Sequence, residues 1–121
     1  MKKKKNDITF IIATKNNISK LYKTVSSIER TFKGVNYNII IKDNGSLPEN
    51  KKSIKKIKNV THFFSNKDKS IYEAWNYSMQ FVKTKYVSFL GVEDKINKNY
   101  INFLYYCHLN RNTDFFYCKA R

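Results

Sequence analysis

The sequence predicts an α/β protein, with a mostly parallel sheet in three layers and helices on both faces. Three observations carry that prediction. Short apolar runs alternate with amphipathic stretches, each apolar run ends in turn-forming or charged residues, and no repeat of fixed period intervenes. Strand and helix in strict alternation imply parallel strands joined by right-handed crossovers. At 121 residues there is room for one core of moderate size, so one domain is expected over residues 8–121, after a basic, disordered N-terminus at residues 1–7.

Residues 8–13, Ile-Thr-Phe-Ile-Ile-Ala, lack the charges of their flanks and suit a first strand buried on both faces. Next, Ile18, Leu21, Val25, Ile28 and Phe32 recur at spacings of 3, 4, 3 and 4, one stripe of an amphipathic helix, with Gly34 just past its end. A second apolar run at 37–41 is closed by Asp43, Asn44, Gly45, Ser46 and Pro48, all turn formers. Residues 49–57 pattern weakly as a helix, and residues 60–64 as a third strand before the polar stretch 65–69. Ser70 and Glu73 fit a capping box, in which the serine accepts from the backbone three residues on and the glutamate reaches back. A helix therefore starts at Ser70 and continues through Val82. Residues 86–90 form a fourth strand, which Gly91 breaks into an acidic loop holding Glu93 and Asp94. An apolar helix at 99–108 and a fifth strand at 114–118 complete the expected order.

Lys and Arg number 24 against 9 Asp and Glu, a formal net charge of +15 that favours an anionic partner. A hydrophobic fraction of 41% and an aromatic fraction of 16% exclude a disordered basic tail, and 3 Gly with 1 Pro exclude collagen-like and linker chains. Lysine, asparagine and isoleucine, whose codons are AT-rich, dominate the composition, so part of the charge reflects coding bias. Cys107 and Cys118 form no CxxC pair and read as buried free thiols of a reducing compartment. No apolar stretch approaches the roughly 20 residues that span a bilayer. The run Lys2, Lys3, Lys4 and Lys5 leads into Asn6 and Asp7, not a signal-peptide apolar region. The expected location is cytoplasmic, at most peripheral at the inner face of the membrane.

Ligands of an open parallel sheet bind beyond the carboxyl ends of its strands. The loops there hold Thr14 to Asn17, Asp43 to Ser46, Asn66 to Lys69, and Glu93 with Asp94. Five of the nine acidic residues, Asp43, Asp68, Glu73, Glu93 and Asp94, fall on or beside this edge of a lysine-rich chain. That asymmetry suits a divalent cation bridging carboxylates to a phosphorylated ligand. Taken singly, Asp43 is equally a turn former, Asp68 a helix-start residue, and Asp94 either a ligand or the cap of the next helix. Trp75 reads as core, and His62 and His108, without neighbours at metal-ligand spacing, as structural.

Four strings at these positions carry a family resemblance. They are Ile-Thr-Phe-Ile-Ile-Ala-Thr-Lys-Asn-Asn at 8–17, Asp-Asn-Gly-Ser at 43–46, Asp-Lys-Ser-Ile-Tyr-Glu-Ala-Trp-Asn at 68–76, and Tyr-Val-Ser-Phe-Leu-Gly-Val-Glu-Asp at 86–94. In order and spacing they resemble the successive motifs of family 2 glycosyltransferases with the GT-A, Rossmann-like fold. The resemblance implies transfer of a sugar from a nucleoside diphosphate sugar to a saccharide or lipid-linked acceptor, with inversion, in surface polysaccharide biosynthesis. It implies that Ala13 and Thr14 line the nucleotide pocket, that Asp43 accepts hydrogen bonds from the base or ribose, and that Asp68 closes the pocket. Glu93 takes the metal-binding place for Mg²⁺ or Mn²⁺, with Asp94 as the alternative ligand. Three departures from the family pattern stand here: Gly91 replaces the first acidic residue of the metal triplet, Glu93 stands where the second is Asp, and Lys15 replaces the aromatic residue near the first turn.

The resemblance covers the nucleotide-sugar-binding half, so the domain is expected to be truncated after the fifth strand. The catalytic base is expected beyond Arg121, either in the missing part of a truncated product or in an acceptor half supplied by another chain, and the chain alone is expected to be inactive. A rival reading is a small basic nucleic-acid-binding module, with 9 Tyr and 9 Phe as stacking platforms. Those aromatics fall mostly in elements that need core residues, and the lysines are spread along the chain, so nucleic acid is not the expected partner.

Overall fold

The computed structural model describes residues 8–92 and Ile96. Their chain order is β1 (Ile8–Thr14), α1 (Ile18–Thr31), β2 (Tyr37–Asp43), α2 (Pro48–Lys55), β3 (His62–Ser65), α3 (Ile71–Met79) and β4 (Tyr86–Gly91). All strands pair in parallel, in the spatial order β3-β2-β1-β4. The α/β alternation and the parallel sheet are those expected from the sequence. The expected helix at 99–108 and fifth strand at 114–118 lie outside the described residues, as do residues 1–7.

The period-2 alternation of the strands sorts their side chains into two faces. One face carries Ile8, Phe10 and Ile12 of β1, Ile39 and Ile41 of β2, and Leu90 of β4. Against it pack Leu21, Val25, Ile28 and Phe32 of the α1 stripe and Ile54 of α2, all buried. The Phe10 and Phe32 rings meet edge to face at 5.0 Å, and Tyr37 closes the same cluster at 6.5 Å from Phe10. Thr24 and Ser27 interrupt this apolar face for a reason: Thr24 Oγ1 donates to the Val92 carbonyl at 2.9 Å, and Ser27 Oγ accepts from Ile96 N at 3.3 Å. Buried hydroxyls thus pair with the backbone that follows β4.

The other face is covered by α3, through buried Ala74 and Ser78 and an aromatic cluster. Phe64 lies 5.2 Å from Tyr77 and 4.4 Å from Phe81, while His62 lies 5.7 Å from Phe64. His62 is therefore held among rings, in keeping with a structural role. Ser70 caps α3 by accepting from Glu73 N at 3.3 Å, while Glu73 Oε2 takes the Lys69 N–H at 3.4 Å, one residue earlier than a strict capping box. α3 ends at Met79, short of the expected Val82. The N–H groups of Gln80, Phe81 and Val82 bond three residues back, to Tyr77, Ser78 and Met79, so the last turn tightens out of α geometry. β3 likewise starts at His62, two residues later than expected, although Thr61 N already reaches Ile39 O at the entry to the ladder.

Candidate functional site at the carboxyl edge of the sheet

The chain runs outward from β1 to β2 and β3, then returns to place β4 on the other side of β1. The direction of winding thus changes between β1 and β4, and the carboxyl ends of those two strands frame the crevice where such sheets bind ligands. Ala13 of β1 lies opposite Gly91 of β4, and Thr14 opposite Asp43 of β2. The loops after β1, β2 and β3 therefore meet at one edge.

They are joined there by one polar network. Asp43 is fully buried; its Oδ2 accepts from Ser46 N at 2.8 Å and from Ser65 Oγ at 2.6 Å, and its Oδ1 from Ser46 Oγ. Ser46 Oγ in turn accepts from Asn16 N at 2.7 Å, so the β1 and β2 loops are locked together. Asn16 takes a left-handed φ of 51°, which asparagine tolerates, and its side chain accepts from Leu47 N at 2.8 Å and Asn50 Nδ2 at 2.9 Å. Asn44 N donates to Thr14 O at 2.9 Å, and Asn66 N to Asp43 O at 3.0 Å. Gly45 sits at φ 73°, and a Cβ there would stand 3.0 Å from Lys67 Cγ, so the turn needs glycine both for its backbone and for the approach of the β3 loop.

Asp68 is held from two sides. Its N–H donates to Asn44 Oδ1 at 2.6 Å, and its Oδ2 pairs with Lys42 Nζ at 2.6 Å. Lys42, only 1% exposed, also donates to Asn66 O at 3.0 Å and lies 5.5 Å from the centre of the Tyr77 ring. Thr14 Oγ1 is buried without a hydrogen-bond partner among the described residues.

Of the residues nominated from sequence, Ala13, Thr14, Asp43 and Asp68 are brought to this edge. Glu93 and Asp94 lie outside the described residues. Among the described residues no group of three or more His, Cys, Asp or Glu side chains is placed to hold a metal ion. Sequence reasoning missed Lys42 and placed Ser65 in a loop. Lys42 had a signal: a lysine at the end of the run Ile39, Ile40 and Ile41 faces a covered side of the sheet, where an ammonium needs an acidic partner.

Comparison with known proteins agrees with this fold. The family model described as glycosyl transferase family 2 matches residues 9–119. No curated protein sequence matches the chain. Among solved structures, S. aureus TarS 1-349 superposes with a TM-score of 0.74 at 14% identity, covering 89% of this chain and 34% of that one. The same protein in complex with UDP-GlcNAc gives a TM-score of 0.74 at 14% identity, over 89% and 32% of the two chains. Its complex with UDP gives 0.68 at 14% identity, over 87% and 33%. At that identity the likeness shows the fold, and the chain spans about a third of the length of TarS 1-349.

Proposed function

The chain belongs to glycosyl transferase family 2, and on that premise we propose that its carboxyl edge binds the nucleoside diphosphate sugar of an inverting transfer. The acceptor is a saccharide or lipid-linked saccharide in surface polysaccharide biosynthesis. The observation that carries this reading is the network tying the loops after β1, β2 and β3 together where the sheet reverses its winding. Similarity to a protein whose structures hold UDP and UDP-GlcNAc supports it.

In this reading Ala13 and Thr14 line the pocket, and the unpartnered Thr14 hydroxyl offers a hydrogen bond to the nucleotide. Asp43 is wholly buried and accepts from three donors of Ser46 and Ser65, so in this reading it shapes the part of the pocket that faces the base or ribose. Asp68 closes the pocket from the β3 loop. Glu93, with Asp94 as the alternative, would hold Mg²⁺ or Mn²⁺ against the diphosphate, and such a cation offsets the charge that develops on the leaving group. The base that deprotonates the acceptor belongs to the acceptor half of the family domain, and the 121 residues alone are expected not to transfer sugar. No helix among the described residues is long and apolar enough to cross a membrane. Action at the cytoplasmic face, with Lys2, Lys3, Lys4 and Lys5 against anionic lipid, fits a lipid-linked acceptor.

Calorimetric titration with UDP, guanosine diphosphate and thymidine diphosphate, with and without Mn²⁺, tests the reading. Binding of one nucleotide that strengthens with Mn²⁺ and is lost in Asp68→Ala and Glu93→Ala is expected. Binding of none, together with metal-independent oligonucleotide binding that weakens steeply with salt, would overturn it.

A further inference from the structure

Resting on the site reading above, we infer that Lys42 is a positioning residue for the donor pocket, acting through Asp68. The two carboxylates of the described site differ in one respect. Asp43 has both oxygens bonded to serines, Ser46 of its own loop and Ser65 at the end of β3. Asp68 has Oδ2 bonded to Lys42, and Oδ1 bonded to no described residue. Oδ1 is therefore the oxygen left to accept from a bound nucleotide, and Lys42 fixes where it stands.

The placement of Lys42 suits that role. It lies next to last in β2, opposite Ala13 of β1 on one side and Phe64 of β3 on the other, so its Cα is set by the ladder of the two central strands. Its ammonium has three N–H groups. One meets Asp68 Oδ2 at 2.6 Å and one the Asn66 carbonyl at 3.0 Å, while the Tyr77 ring faces the charge at 5.5 Å. A lysine so enclosed has no freedom to seek other partners, and both acceptors belong to the segment between β3 and α3. That segment contains Lys67 and Lys69, both exposed, and carries no apolar side chain that anchors it to either face of the sheet. Its position depends on Lys42, on the Asn44 bond to Asp68 N, and on the Asn66 bond to Asp43 O. Of these only Lys42 orients the Asp68 carboxylate.

The test is a double-mutant cycle on nucleotide affinity in the full chain, using Lys42→Met, Asp68→Asn and the two together, with UDP, guanosine diphosphate and thymidine diphosphate as probes. Each variant is first melted to establish that it folds. The double variant, which removes the charge of both partners, and Lys42→Gln, which keeps a donor, guard against misfolding of Lys42→Met. Positioning through Asp68 predicts a loss of tenfold or more in each single variant and no further loss in the double. It also predicts faster amide exchange at residues 66–69 in Lys42→Met or Lys42→Gln. Wild-type affinity in a folded Lys42 variant, or losses that multiply in the double, would overturn the inference while leaving the site reading intact. Failure of the unmodified chain to bind any of the three nucleotides would overturn the site reading, and the inference with it.

Discussion

The two faces of the sheet are built on different terms. Against α1 and α2 the sheet presents a continuous apolar core, with Phe10, Ile12, Ile39 and Ile41 of the strands and Phe32 at the end of α1 wholly buried. Against α3 it presents buried Ile11 and Ile40 together with rings and the Lys42–Asp68 ion pair, and the cover is partial: Phe89 is 39% exposed and Tyr72, on α3 itself, 69%. Trp75 lies between them, 4.7 Å from Phe89 and 5.9 Å from Tyr72. One face thus supplies stability through non-directional burial, while the other commits its polar contacts to the position of the β3 loop. Fold and site are divided between them.

The largest expected effect sharpens that contrast. Phe32→Ala should cost about 3–5 kcal/mol, since it empties a fully enclosed site. Phe89→Ala should cost about 1–2 kcal/mol, because a ring already in contact with water has less to lose. Chemical denaturation of both variants measures the difference; equal losses would show that the α3 face is as closely packed as the other.

Gly45→Ala comes next, at about 1–2 kcal/mol, for placing a Cβ on a backbone at φ 73°. The new methyl also presses on Lys67 Cγ, so a shift of the β3 loop, read by amide exchange at residues 66–69, should accompany the lower melting temperature. Ser70→Ala removes the hydroxyl that accepts from Glu73 N and should cost about 1 kcal/mol, with fraying confined to the first turn of α3. Circular dichroism with local exchange rates distinguishes this from loss of the whole helix.

The smallest effect is a pH dependence at the rim of the α1 face. Burial, and after it the negative charge of Glu29, raise the Tyr37 phenol above its ordinary 10.0. The folded chain therefore holds that proton more tightly than the unfolded one. The contribution is complete below pH 10 and is lost as pH rises toward the folded value, so Tyr37→Phe should flatten part of the alkaline decline in stability.

Much of this was legible in the residues themselves. The α1 stripe, the charge-free run of β1 and the capping pattern at Ser70 are local signals, and the corresponding elements begin where those signals place them. The end of α3 was not legible, since nothing in residues 80–82 breaks a helix, and only the tertiary fit of Phe81 among His62, Phe64 and Tyr77 accompanies the tighter turn. At the site, topology alone brings Thr14, Asp43 and Asp68 to one edge. The Asp43 bond to Ser46, 3 residues on, is a local turn contact. The links between loops were hidden, because Ser65 lies 22 residues from Asp43 and Lys42 lies 26 from Asp68. Such pairings follow from strand register, which single-residue patterns do not encode.

The most direct test of the central claim, that the carboxyl edge is a nucleoside-diphosphate site, is to map binding on the isotopically labelled chain by amide chemical shifts during titration with UDP and the diamagnetic Mg²⁺. Shifts should concentrate at Thr14, Asn16, Asn44, Ser46, Asn66 and Asp68, while Val25, Ile28 and Ile54 on the opposite, aliphatic side stay still. Saturable shifts confined to the lysine-rich stretch at 51–58, with the carboxyl edge unmoved, would contradict the account.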